Sequence, residues 1–162
     1  MSQSICIGVI GAKETDPANS GIAYELGTHI AGRGAILVCG GLGGIMEAAS
    51  KGAFDNGGTI IGILPGIDKR DANPYVSIAL PTGMGITRNT LVVNMSDVLI
   101  AFPGSYGTLS EIAFALATGK TVVYLPGAWD LRKIAPVDGK LFKEAFDARH
   151  AIGVALGAVG GK

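Results

Sequence analysis

The chain has 162 residues with 13 Lys and Arg against 13 Asp and Glu, so its formal net charge is zero. A protein that grips nucleic acid needs a basic excess to neutralise phosphates, and this balance argues against a nucleic-acid partner. Charged residues make up only 16% of the chain, compared with ~25% in average domains. Such sparse surface charge predicts a homo-oligomer, a dimer or a dimer of dimers, in which part of the surface is covered. We expect the covered residues to be apolar side chains of the third and fourth predicted helices: Leu91, Val92, Ile112, Phe114 and Leu116.

The length predicts one domain over residues 1–162. The first residues carry no basic cluster ahead of an apolar core, and no apolar run reaches the ~20 residues of a membrane span. Cys6 and Cys39 lie inside apolar runs, which is typical of buried thiols in a reducing compartment. We therefore expect a soluble, cytoplasmic protein without membrane contact.

Short β-branched runs alternate with amphipathic segments along the chain. The predicted strands cover residues 4–10, 35–39, 59–64, 97–102 and 121–125. The first helix begins at Asp16 and Pro17, an N-cap followed by proline at the first helical position. The predicted helices cover residues 17–32, 44–56, 88–96, 108–118 and, more weakly, 140–150. Residues 64–86 form an irregular loop with one edge strand near 76–80, and the state of the glycine-punctuated segment 151–162 is left open.

Strands that are apolar on both faces and separated by helices predict an α/β fold, a doubly wound, mostly parallel, Rossmann-like sheet with helices on both faces. Such sheets bind ligands at the carboxyl ends of their strands. Gly11 follows the first strand without the G-x-G-x-x-G spacing of a dinucleotide site, and no G-x-x-x-x-G-K-[ST] motif of a P-loop is present.

Two glycine-rich turns each follow a strand and enter a helix, where free backbone N–H groups and the helix dipole favour a phosphate. The first turn comprises Gly40, Gly41, Gly43 and Gly44 and leads to Glu47. The second comprises Pro103, Gly104, Ser105, Tyr106, Gly107 and Thr108 and leads to Glu111. Together they predict a binding site for a small phosphorylated molecule.

Structural interpretations of the same residues stay open at this point. Thr108 and Glu111 have the spacing of a capping box, in which each side chain caps the other's backbone N–H. Arg88 follows a glycine loop that contains Thr82 and Gly83, and it is either a solvated helix-start residue or a partner for an anion. With two histidines, two cysteines and no pair of carboxylates at ligand spacing, we expect no metal site.

Three blocks of the sequence resemble a known superfamily. GGLGGIMEAASKGA at 40–53, TGMGITRN at 82–89 and PGSYGTLSEIAFAL at 103–116 are similar to blocks of the Lonely Guy phosphoribohydrolases, the "possible lysine decarboxylases" and the molybdenum cofactor carrier proteins. The resemblance covers residues 4–126 and implies a Rossmann-like fold, homo-oligomers built on dimers, and a phosphate held by the 103–108 loop.

The departures from the hydrolase pattern favour the carrier branch. The resemblance keeps Arg88 and Glu111, but Ser105 stands where the hydrolases have glycine and Asn89 stands where they have lysine. Glu47, where the hydrolases usually have glycine, and Asn89 resemble the cofactor carriers, which bind a pterin with a terminal phosphate. The decarboxylase name has no support, since the blocks contain no lysine except Lys51, inside a helix.

Two functions remain open. The leading hypothesis is a carrier or sensor of a phosphate-bearing heterocycle, the molybdenum cofactor or a nucleoside monophosphate, with no cofactor required for folding. The alternative is an enzyme that hydrolyses the N-glycosidic bond of a nucleoside 5′-monophosphate, with Arg88 and Glu111 as catalytic residues. A third class, a DNA-processing partner, is disfavoured by the zero net charge.

Overall fold

The computed structural model describes residues 4–125, 127, 130–134 and 138–160. The strands are β1 (Cys6–Ile10), β2 (Ile36–Cys39), β3 (Thr59–Leu64), β4 (Ile78–Pro81), β5 (Val98–Ala101), β6 (Val122–Tyr124) and β7 (Phe142–Glu144). The helices are α1 (Pro17–Gly32), α2 (Ile45–Asp55), α3 (Asn89–Met95), α4 (Tyr106–Ala117), α5 (Leu131–Ile134) and α6 (Ala148–Gly160), and 3₁₀ turns cover Lys69–Asp71 and Gly85–Arg88.

The strands form one parallel sheet in the order β4-β3-β2-β1-β5-β6-β7. The chain builds outward from β1 to β4, then crosses to the other side of β1 and adds β5, β6 and β7. The strand order therefore reverses between β1 and β5, and a doubly wound sheet opens a ligand crevice at such a point. This architecture confirms the predicted Rossmann-like fold.

Two apolar cores lie on opposite faces of the sheet, because side chains alternate along each strand. Ile7 and Val9 of β1 belong to the core shared with α1, α2 and α6. Cys6 and Ile10, on the other face of β1, belong to the core shared with α3, α4 and α5. Helices cover both faces of the sheet, which explains why β1 is apolar at every position.

The predicted start of α1 is confirmed. The Asp16 carboxylate accepts a hydrogen bond of 2.9 Å from the Asn19 backbone N–H and caps the helix directly before Pro17. Glycines then allow α1 to pack closely on α2. A Cβ at Gly27 would lie 2.0 Å from the Ala49 carbonyl oxygen, and one at Gly52 would lie 1.9 Å from the Tyr24 carbonyl oxygen.

The predicted helix over residues 140–150 is wrong. Asp138 turns the chain by accepting the backbone N–H groups of Leu141 and Phe142, and β7 then pairs with β6. The last helix begins only at Ala148, after the Asp147 carboxylate has accepted the N–H of His150 at 2.7 Å. The segment left open, 151–162, is helical as far as Gly160. Its buried alanines (Ala148, Ala151 and Ala155) pack in the core that α6 shares with α1 and the sheet, while its glycines face open space, and this small-residue pattern concealed the helix.

The remaining elements follow the predictions with small shifts. The edge strand is Ile78–Pro81, two residues later than expected, and α4 starts two residues earlier. Val92 and Ile112, expected in an oligomer interface, are 0% and 3% exposed within the single chain and belong to its own core.

Within the described ranges, no helix has both the length and the apolar character needed to cross a bilayer.

Candidate functional site

An open cleft of about 540 Å³ lies at the carboxyl ends of β1, β2 and β5, where the strand order reverses. Nine of the residues predicted from the sequence line it: Gly11, Gly40, Arg88, Asn89, Gly104, Ser105, Gly107, Thr108 and Glu111. Eight others do not line it: Gly41, Gly43, Gly44, Glu47, Thr82, Gly83, Pro103 and Tyr106. The second glycine-rich turn therefore faces the cleft more fully than the first.

The N-terminus of α4 presents free backbone N–H groups. The helix begins at Tyr106, and its N-cap residue, Ser105, makes no capping hydrogen bond through its side chain. The first helical bond of the turn runs from Leu109 N to Ser105 O at 3.0 Å. Since the N–H groups of residues 106–108 precede that bond, they have no partner within the helix. These N–H groups can donate hydrogen bonds to an anion.

The capping-box interpretation of Thr108 and Glu111, left open from the sequence, is not supported, because the helix starts two residues before Thr108. Thr108 lies inside the first turn and is 3% exposed, so it cannot cap the helix from outside. Its hydroxyl instead packs against Gly104, where an added Cβ would lie 2.0 Å from Thr108 Oγ1 and 3.2 Å from Ala12 N. Glycine is required at position 104 because the turn approaches both the helix and the end of β1.

Arg88 is a buried cation with unused hydrogen-bonding capacity. Its side chain is 7% exposed; Nη1 donates to Asn89 Oδ1, and Nη2 lies 3.5 Å from the Gly40 carbonyl oxygen. Its Nε is buried and has no hydrogen-bond partner among the described residues. A Cβ at Gly40 would lie 2.6 Å from Nη2, so glycine there makes room for the guanidinium.

Glu111 faces the same cleft and is 7% exposed. Burial raises the pKa of its carboxyl group to about 8, although the nearby charge of Arg88 acts in the opposite direction. Burial also lowers the pKa of Arg88, and Glu111 opposes that change. An arginine still keeps its charge, so at pH 7 the pair is a cation beside a neutral acid. The floor of the cleft is therefore positive.

The first glycine-rich turn is held closed by hydrogen bonds within the protein. Ile45 N, at the start of α2, donates to the Ala12 carbonyl at 3.1 Å, and Asn73 N donates to the Gly41 carbonyl at 2.8 Å. Gly41 N in turn donates to Cys39 Sγ at 3.3 Å. A Cβ at Gly44 would lie 2.3 Å from the Ala12 carbonyl oxygen. Gly41 and Gly44 therefore allow the first turn to pack closely against the neighbouring backbone.

Four other residues that were predicted to bind the ligand do not line the cleft and lie in different parts of the structure. Thr82 Oγ1 donates to the Leu64 carbonyl at 2.7 Å, and Gly83, at φ +65°, donates its N–H to the Gly66 carbonyl. Both shape the loop after β3. Tyr106 is 84% exposed at the start of α4, and Glu47 lies on the first turn of α2, half-buried. Their roles as ligand contacts stay predictions.

Sequence reasoning missed eight lining residues: Val9, Ile10, Ala12, Lys13, Glu14, Met46, Pro65 and Ile86. Lys13 and Glu14 could have been found, since they follow β1 at the same sheet edge as the two glycine-rich turns. The apolar lining residues carry no such signal, because an apolar side chain near a strand end is equally typical of a core.

The cleft combines features for holding a phosphate-bearing molecule. An unpartnered guanidinium nitrogen, free N–H groups of a helix and a neutral carboxyl group lie around one open space. A metal centre is a different matter: within the described part of the chain, no group of three or more His, Cys, Asp or Glu side chains could hold a metal ion.

Comparison with known structures agrees with this geometry. A molybdenum cofactor binding protein from the phototrophic bacterium Rippkaea orientalis matches with a TM-score of 0.90 and 35% identity, covering 98% of this chain and 99% of that one. The Moco Carrier Protein from Chlamydomonas reinhardtii matches with a TM-score of 0.88 and 36% identity, covering 99% and 100%. Both likenesses extend over essentially the whole of each chain.

The cytokinin riboside 5′-monophosphate phosphoribohydrolase LOG of Oryza sativa subsp. japonica is 33% identical over 112 residues. The match covers 67% of this chain but only 46% of the rice protein. The resemblance noted in the sequence is confirmed: the chain is related to the Lonely Guy superfamily, and its fold matches the cofactor carriers over a larger share. The model of the SLOG cluster4 family matches residues 4–152, and the chain belongs to that family.

Proposed function

We propose that this chain is a binding protein that carries a phosphate-bearing heterocycle, and that its ligand is the molybdenum cofactor. The observation that carries the proposal is the buried Arg88 guanidinium that lines the cleft. There, the buried Nε of Arg88 lacks a partner among the described residues, beside the open N-terminus of α4. A buried donor without a partner costs free energy, and a ligand phosphate removes that cost.

The residues of the cleft fit the terminal phosphate of a pterin cofactor. The N–H groups of residues 106–108 and the Arg88 guanidinium both donate to oxyanions, and glycine at 104 and 107 leaves the approach open. Glu111, protonated at neutral pH, donates a hydrogen bond without repelling the anion. The ligand supplies the pterin and the metal, and the chain supplies the phosphate cradle.

The comparisons support a carrier over an enzyme. The two neighbours named as molybdenum cofactor proteins cover the whole chain, whereas the phosphoribohydrolase match is partial. Asn89 also agrees with a carrier, since both ends of its side chain are held by the protein. No second basic side chain stands at that position to act on a ribose.

Mass spectrometry of the purified protein tests the proposal directly. We expect the native mass to exceed the denatured mass by that of one small molecule per chain, and we expect the released molecule to be a pterin by its mass and fluorescence. An Arg88→Met variant, which lacks the guanidinium, should purify without the additional mass. A wild-type protein that carries a different phosphorylated compound would remove the cofactor from the proposal but keep the phosphate site.

The hydrolase alternative rests on Arg88 and Glu111 lying in one cleft. We expect the protein to bind AMP but release no adenine. Chromatography of AMP incubated with wild type and with Glu111→Gln decides the question. Turnover of about 1 per second, within the usual range of enzymes, that disappears in the variant would replace the carrier with a phosphoribohydrolase.

The assembly and the compartment belong to the same proposal. The half-buried side chains of Leu91, Phe114 and Leu116 pack at the margin of the second core, and we propose that a second copy covers this face of α3 and α4. Sedimentation at micromolar concentration that gives a mass near 16.4 kDa would contradict it.

Cys6 and Cys39 are unpaired and buried, in agreement with a reducing cytoplasm. Cell fractionation tests this location.

A further inference from the structure

We propose that Asn89 is a positioning residue that aims the Arg88 guanidinium and ties it to the first turn of α4, so that both bind the ligand phosphate as one unit. The inference rests on the proposed function, because it specifies how that site holds its anion. It assigns Asn89 a role that acts through Arg88 and the helix N-terminus.

The Asn89 side chain is used at both ends. Its Oδ1 accepts from Arg88 Nη1, while its Nδ2 donates to the Gly107 carbonyl at 3.3 Å and to Ser110 Oγ at 3.2 Å. The opposite orientation would place the amide NH₂ against a cation and the amide oxygen against a carbonyl oxygen, so only one orientation is satisfied. At 7% exposure, the side chain forms a fixed bridge from α3 to α4.

This bridge determines which donors of Arg88 remain for a ligand. A guanidinium has five N–H donors; Asn89 holds Nη1, and Gly40 O lies 3.5 Å from Nη2, near the limit of a hydrogen bond. Nε is buried without a partner among the described residues. Nε and Nη2 share one edge of the guanidinium, and such an edge matches two oxygens of a phosphate. Asn89 holds the opposite corner and leaves this edge free.

The other end of the bridge reaches the anion site of α4. Gly107 belongs to the turn whose N–H groups precede the first helical bond, and its carbonyl also accepts from Ser110 Oγ at 2.7 Å. A shift of this turn relative to Arg88 would separate the two sets of donors, and sites that recognise anions depend on donors held in place beforehand. Asn89 keeps the spacing of the two sets constant.

A double-mutant cycle separates positioning from a purely structural role. Isothermal titration measures the Kd for AMP and for inorganic phosphate in wild type, Asn89→Ala, Arg88→Met and the double variant. We expect Asn89→Ala to weaken binding about tenfold and Arg88→Met about 100-fold. The double variant should lose less than the product of the two single losses, since Asn89 acts in part through Arg88 and interacting residues are not additive.

The matched control is Asn94→Ala, an exposed asparagine of the same helix, which should bind like wild type. Losses that multiply in the double variant, or an Asn89→Ala protein that binds like Asn94→Ala, overturn the inference while the proposed function stands. A wild-type protein that binds neither AMP nor phosphate overturns the proposed function, and the inference falls with it.

A measurement on the wild-type protein covers the case in which Asn89→Ala does not fold. In a ¹⁵N-labelled sample, the Nε–H signal of Arg88 is assigned by its loss in Arg88→Met. Because the bridge leaves Nε free for the anion, phosphate should shift this signal at the same concentrations at which it binds in titration. Phosphate binding that leaves the signal unmoved overturns the inference.

Discussion

The two glycine-rich turns, residues 40–44 and 103–107, share their composition and their place between a strand and a helix, but their backbone groups have different partners. In the first turn, Gly41 and the start of α2 are hydrogen-bonded to Asn73, Cys39 and Ala12. In the second, the N–H groups ahead of Leu109 have no helical partner, and Gly107 and Thr108 line the cleft. We therefore predict that the second turn holds the ligand, since none of its three N–H groups ahead of Leu109 has a backbone partner among the described residues, whereas Ile45 N of the first turn is bonded to Ala12.

The cause of the difference lies in the segment after β1. Its Ala12 carbonyl accepts from Ile45 N, the first N–H of α2, while its Ala12 N–H donates to the Pro103 carbonyl at 3.2 Å. The bond to Pro103 fixes the position of the second turn without using any N–H group of α4. Ala12 thereby holds the start of α2 through one bond and supports the turn before α4 through another.

The largest effect should come from Gly44→Ala, which tests whether the first turn is structural. Gly44 has φ +65° and ψ −128°, and its added Cβ would lie 2.3 Å from the Ala12 carbonyl oxygen. Strain and backbone collision together should lower the free energy of unfolding by about 3 to 5 kcal/mol, measured by urea denaturation.

Gly34→Ala is the matched control. Gly34 shares φ +65° but has no atom within 4 Å of the added Cβ, so it should lose only about 1 to 2 kcal/mol. Equal losses in the two variants would mean that the contact between Gly44 and Ala12 contributes nothing, and the closed state of the first turn would need another cause.

Gly107→Val should produce the largest effect on the second turn, this time on binding. The nearest atom to a Cβ at 107 is Asn89 Nδ2 at 3.7 Å, so the fold tolerates the side chain. Because residue 107 lines the cleft, the added methyl groups occupy the approach to the free N–H groups. We expect AMP affinity to fall about 100-fold with little change in the urea midpoint. A variant that binds normally would exclude this turn from the phosphate site.

Much of this arrangement could be predicted from the sequence. The strand pattern predicted the parallel sheet, and the position of each motif after a strand placed Arg88, Glu111 and the 103–108 turn at one edge. The difference between the two turns could not be predicted, because it depends on Ala12 and Asn73, which are distant in sequence from the turns they bond.

Two local patterns left the structure undecided for a physical reason. The spacing of Thr108 and Glu111 satisfies a capping box, but α4 begins at Tyr106 because the backbone turns at Ser105 without a side-chain cap. The alanine and glycine composition of α6 resembles a loop, yet small side chains are what allow that helix to pack closely. Tertiary contacts overrode local propensity in both places.

The pH dependence of binding tests Glu111 and should amount to about tenfold. The phosphate of AMP becomes a dianion above a pKa of about 6, while the Glu111 carboxyl stays neutral up to its pKa of about 8. Affinity should therefore rise from pH 5 to 7 and fall above pH 8, where a carboxylate opposes the anion. Arg88 keeps its charge throughout, and the cleft's exposed Lys13 and Glu14 are the other charged groups present.

The substitution Glu111→Gln should remove the fall in AMP affinity above pH 8. It should also remove a matching pH dependence of stability in the free protein. Between the ordinary pKa of 4.5 and about 8, the native state holds a proton that the unfolded state has lost, so stability is greatest below pH 4.5 and declines as the pH rises through 8. If Glu111→Gln keeps the pH dependence of affinity and the pH dependence of stability, a group other than Glu111 causes them.

The smallest effect should come from Glu47→Gln. Glu47 lies on the first turn of α2, behind the closed turn and outside the lining of the cleft. Removing its charge should change AMP affinity by less than about twofold, since a half-buried charge that does not line the cleft is still screened by water and salt. Isothermal titration with AMP at low and high salt measures the affinity of Glu47→Gln. The same titration of Glu111→Gln at pH 9 serves as the comparison. A loss of tenfold or more in Glu47→Gln would bring the first turn into contact with the ligand, and the distinction between a closed and an open turn would fail.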